Sequence, residues 1–141
     1  MKVRFAHLCD YAMVSREGKL SVLGIFTRIT AAEIPAVHPA AYLAFEIDLE
    51  ETDPDEFSVS IEVVSPDDEA TLLRVDGVAR LQKEAVPLRD TGHILALRQL
   101  VLPGYGTYRI RISAAGEVVH ELPFEVGRTR QPKPEAPAVP T

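Results

Sequence analysis

Four histidines, one cysteine and an acidic run are the residues in this 141-residue chain whose chemistry could do more than fold it. His7, His38, His93 and His120 would have to converge to hold zinc, yet they fall on four separate stretches with no paired ligand spacing. Cys9 could act as a nucleophile only with exposure and a basic partner; on an apolar strand it reads as a small buried hydrophobe. The run Glu50-Glu51-Thr52-Asp53-Pro54-Asp55-Glu56 offers hard oxygen ligands of the kind calcium takes, but its spacing matches no calcium loop, and a solvated acidic loop is the simpler reading. Serine elbows, phosphate-binding glycine loops and dinucleotide fingerprints do not occur. No catalytic residue, metal or cofactor is expected, and the chain reads as a non-enzyme.

Asp10 is the charge that stands out, mid-strand among apolar residues. Its expected role is either an acceptor for backbone N–H groups or part of a ligand pocket. The elements that must position it begin with a hairpin spanning 5–29. Ser15-Arg16-Glu17-Gly18-Lys19 has the chemistry of a three-residue loop whose last position needs positive φ, which glycine supplies without steric cost. Ser15 then faces Lys19, and counting outward sets Val14 against Leu20, Ala12 against Val22, Asp10 against Gly24 and Leu8 against Phe26. The opposite face carries Phe5, His7, Cys9, Tyr11, Met13, Leu23, Ile25 and Ile29. Both faces are apolar, so one packs the core and the other is covered by a loop or a second subunit.

Downstream, 30–40 contains Pro35 and Pro39 and reads as a long crossover between sheets. A strand over 41–50 places Ala41, Leu43, Phe45, Ile47 and Leu49 on one side, and Phe57, Val59, Ile61 and Val63 continue the pattern in the next strand. Ser65-Pro66-Asp67-Asp68 is a turn. It and loop 50–56 lie at opposite ends of one strand, roughly 25 Å apart, and so cannot share a metal. A strand over 72–82 puts Leu73, Val75, Ala79 and Leu81 inward, with a bulge or close approach expected at Gly77, and 83–90 is a polar loop. The stretch 93–102 is apolar on both faces and reads as a strand, with a helix as runner-up. Ser113-Ala114-Ala115-Gly116-Glu117 repeats the first loop pattern. It would pair Arg109 with Glu121, Tyr108 with Leu122, Ile110 with His120 and Ile112 with Val118.

The segments Cys9-Asp10-Tyr11-Ala12, Gly18-Lys19-Leu20-Ser21-Val22-Leu23-Gly24-Ile25-Phe26, Ile34-Pro35 and Gly106-Thr107-Tyr108 together resemble a family of small uncharacterised bacterial proteins. The resemblance covers about residues 3–127. It implies a compact all-β domain of no assigned activity and carries no catalytic residue over. Tyr11, Gly24 and Tyr108 join Asp10 as structural or pocket candidates.

Composition sets the frame: 46% hydrophobic and 26% charged residues are ordinary globular material, enough to bury roughly 68–70% of the unfolded surface in one domain. Acidic residues exceed basic ones 21 to 15, which disfavours nucleic acid as a partner. No stretch approaches the ~18 apolar residues of a membrane span, and Met1-Lys2-Val3-Arg4 leads into no signal-peptide core. A single cysteine fits a reducing compartment, and a cytoplasmic setting is expected. The architecture expected is all-β, an antiparallel two-sheet β-sandwich of about eight strands over 1–127. Residues 128–141 read as a disordered proline-rich tail, and removing everything after Val126 should leave stability unchanged. The function expected is a noncatalytic protein-interaction or structural domain that self-associates; the alternative is a small-ligand or calcium-binding module.

Overall fold

The computed structural model describes residues 1–68, 70–80 and 90–130, with side chains left aside at 90 and 91. The chain is all-β there, with nine strands in two sheets and no helix. The first sheet has the order β2 (Leu20–Phe26), β1 (Lys2–Val14), β4 (Ala36–Asp48), β7 (Asp90–Leu102). The second has the order β3 (Arg28–Ala31), β9 (Glu117–Arg128), β8 (Gly106–Ala114), β5 (Glu56–Val64), β6 (Thr71–Arg80), and it curls as a half-barrel. All neighbours run antiparallel except β3 and β9, which run parallel, so the expectation of a purely antiparallel fold is corrected at that pair.

One core lies between the sheets. Leu8, Leu43, Phe45, Ile47 and Leu97 enter it from the first, and Ile61, Val63, Tyr108, Ile110, Ile112, Phe124 and Val126 from the second. Alternation in β4 and β5 is what places Leu43, Phe45 and Ile47 opposite Ile61 and Val63, since side chains two residues apart share a face. Burying each such side chain contributes about 1.5–3 kcal/mol, more than any exposed ion pair on the sheet surfaces.

The first hairpin pairs as its turn chemistry demands. Ser15 N–H donates to the Lys19 carbonyl at 2.8 Å, Gly18 has φ 83°, and Leu8, Ala12 and Val14 face Phe26, Val22 and Leu20. The hairpin ends at Phe26, however, and Ile29 does not lie on its outer face. At Thr27 the chain leaves the first sheet, the Thr27 carbonyl accepting the Glu125 N–H at 2.9 Å, and Ile29 turns into the core from β3. The crossover between sheets shrinks to residues 32–35 and holds a cis Ile34–Pro35 bond.

β4 starts at Ala36 and runs on through Pro39, so the segment is strand where an extended connection was expected, although the ladder skips a pair at Pro39. By the β4–β7 register Pro39 faces Gln99, whose φ is 54°. Inward phase changes there in both strands: Leu97 and Leu100 are both buried, three residues apart, while Val101 is 52% exposed. This local twist explains why 93–102 looks apolar on both faces, and β7 is a strand along its length.

Three further expectations are corrected. Gly77 sits in regular pairing with Val59 over open space, and the irregularity in that pair of strands falls instead between Val63 and Val64. The last hairpin turns on Ala115 and Gly116, both with positive φ (51° and 82°), as a two-residue loop does. With a bulge between Ile112 and Ser113, Glu121 therefore pairs with Arg111, Leu122 with Ile110, His120 with Ile112 and Phe124 with Tyr108. Finally β9 extends past Val126: Gly127 and Arg128 pair with Thr30 and Ala31, and Thr129 N–H donates to Ala31. A cut after Val126 would remove those bonds, so a loss of stability is the expected outcome. Leu81, the 83–89 part of the expected loop and residues 131–141 of the expected tail lie outside the described residues.

Candidate functional site

The outer face of the first sheet is apolar at its β1–β2 side. Cys9 and Ala44 are fully buried there, with Phe5, Tyr42 and Ile94 packed around them. Cys9 Sγ donates to the Tyr42 carbonyl at 3.5 Å, and burial, reinforced by the neighbouring Asp10 carboxylate, pushes the thiol above its usual pKa range. Such a thiol is a poor nucleophile. Beside this cluster Leu23 (65%), Ile25 (52%), Tyr11 (49%) and Met13 (46%) stand exposed. They share a face because Tyr11 pairs with Leu23, and Cys9 with Ile25, across the hairpin. Tyr11 meets Tyr42 edge-on at 5.6 Å between ring centres.

The four candidates from the sequence occupy two places. Asp10, Tyr11 and Gly24 come together on the hairpin, all exposed. The Asp10 carboxylate lies against Gly24, in the space a β-carbon would fill, and glycine's φ there is 67°. Exposure at Asp10 means it does not serve as a buried acceptor. Tyr108 lies elsewhere, in the core: its hydroxyl donates to the Gly104 carbonyl at 2.6 Å and accepts from the Gly104 N–H at 3.1 Å, with its ring stacked on Phe124. This ties the approach to β8 back onto itself, as a tyrosine corner does.

The histidines sit on β1, β4, β7 and β9, and among the described residues no group of three or more metal-ligating side chains converges. His38 lies in β4 rather than in a loop, 5.8 Å from Phe26 between ring centres. In the acidic loop, Asp53 accepts the Glu50 N–H at 2.8 Å and pairs with the Met1 amine at 3.1 Å, a structural use of its carboxylate.

Pattern reading missed a crevice at the open side between β6 and β7. Its volume is about 180 Å3, and Phe45, Val59, Ile61, Val75, His93 and Leu95 are among the residues lining it. Burial there holds the His93 imidazole below its usual pKa range, stacked 4.9 Å from Phe45. Alternation puts Phe45, Val59, Ile61 and Val75 on one face of their strands but cannot assign an inner face to 93–102 or show that the two edge strands part above them.

No curated protein matches the chain. The model of the family of unknown function DUF6941 matches residues 4–127, a span running from β1 almost to the end of β9, and the chain belongs to that family.

Proposed function

We propose that this protein is a noncatalytic interaction domain of the bacterial cytoplasm that pairs with a second copy of itself through the outer face of the β1–β2 hairpin. The observation that carries the reading is the exposed row Tyr11, Met13, Leu23 and Ile25, continuous with Phe5 and Tyr42 around buried Cys9. Grouped apolar side chains of this kind mark contact surfaces, whereas isolated ones do not. In this reading the two sheets are the layers of a sandwich, and the hairpin face is the third surface to be covered. The free, buried thiol of Cys9 supports a reducing compartment. The test is light scattering on the wild type and on Leu23→Glu with Ile25→Glu, both exposed positions. A micromolar dimer that becomes monomeric in the variant, at unchanged melting temperature, is expected; a monomeric wild type overturns the proposal.

A second reading, a small-ligand module, draws on the crevice lined by Phe45 and His93. A small apolar molecule that binds wild type and no longer binds after Val75→Trp, which adds bulk to the lining, would favour it over self-association.

A further inference from the structure

The parallel pairing of β3 with β9 brings Arg28 and Thr30 beside Arg128 and Arg130 around one cleft of about 350 Å3. Two of the guanidinium groups are held before any ligand arrives. Gly127 stands opposite Thr30, and the Arg28 guanidinium occupies the space a β-carbon at Gly127 would fill. Arg28 Nη1 also donates to Glu125 Oε1 at 3.1 Å. Arg128 lies over the Tyr105 ring, 5.4 Å from its centre, and the Tyr105 hydroxyl donates to the Ala31 carbonyl at 3.0 Å. Among the described residues, Arg128 and Arg130 make no ion pair, so Glu125 is the one carboxylate bonded to the cluster. Cations held together repel unless an anion joins them, and this cluster stands in a chain of net charge −6.

We propose that this cleft binds the phosphate group of a small soluble molecule. Planar guanidinium donors match phosphate oxygens in pairs, and the Thr30 hydroxyl adds a neutral donor at the same rim. Its dimensions suit a single phosphate ester, and the acidic remainder of the chain repels extended polyanions and anionic membranes. The site lies on the second sheet and is independent of the hairpin face.

Titration of the full 15N-labelled chain with inorganic phosphate at low ionic strength tests it. Saturable shifts are expected at the Thr30 and Gly127 amides and at the Arg28 and Arg128 Nε–H groups. Arg28→Gln and Arg128→Gln should each weaken binding at least about tenfold, the effect of losing a charge-assisted hydrogen bond. Arg28→Lys, which keeps the charge, should weaken it less and serves if Arg28→Gln fails to fold. Arg16→Gln, in the β1–β2 loop, should leave binding unchanged. Absence of saturable shifts, shifts that persist in the Arg28→Gln, Arg128→Gln double variant, or binding to phosphatidylserine vesicles without binding to phosphate would each overturn the proposal.

Discussion

The Asp10 carboxylate closes over the α-carbon of Gly24, and Gly24 holds a left-handed backbone at φ 67°. Two separate effects could therefore make Gly24→Ala unfavourable: the backbone conformation and the collision with Asp10. The first costs about 1–2 kcal/mol for an L-residue. The second is small, because Asp10 is exposed and its carboxylate can swing into water. Gly24→Ala should accordingly lose about 1–2 kcal/mol by denaturant unfolding, and Asp10→Ala in the same chain should recover less than about 0.5 kcal/mol. Substantial recovery would show that the collision, not the backbone, is decisive.

Tyr108 spends its hydroxyl on both backbone groups of Gly104. Tyr108→Phe keeps the ring stacked on Phe124 and removes only those two bonds. Gly104 is half-buried, so water replaces part of the loss, and about 1–2 kcal/mol of stability should disappear. A variant that unfolds at the wild-type denaturant midpoint would show that the turn before β8 holds without the hydroxyl.

Burial lowers the His93 pKa, so in mildly acid solution the folded chain binds fewer protons at this site than the unfolded chain. The contribution is complete above the unfolded value of about 6.5 and declines as pH falls below it toward the depressed folded value. Melting temperature should therefore drop more steeply for wild type than for His93→Gln between about pH 7 and about pH 5. Parallel profiles would assign the acid sensitivity to other groups.

What was legible in the sequence was what local chemistry decides. Gly18 fixed the first turn and with it the Asp10–Gly24 juxtaposition, and strict alternation fixed the core faces of β4 and β5. Where a residue departs from its usual backbone, local pattern failed. Ala115 accepts the left-handed conformation and shortens the last turn by a residue, and Gln99 accepts it opposite Pro39 and shifts the inward phase. Alternation also cannot say which sheet a strand joins: by pattern Ile29 belongs to the hairpin's outer face, whereas it pairs with Val126 in the second sheet. The arginine cleft was invisible for the same reason: its members meet through a parallel pairing between distant segments that no short motif announces.

That pairing also orders events during synthesis. Arg28 and Glu125, partners across β3 and β9, are 97 residues apart in the chain. At about 5–20 residues per second, a ribosome needs roughly 5–20 s to make the second strand after the first. The β1–β2 hairpin can close through local contacts at once, but Ile29 and Ala31 must wait until β9 has been made before it can pair beside them. The nascent chain thus carries β3 without its β9 partner for as long as β4 to β8 are being made.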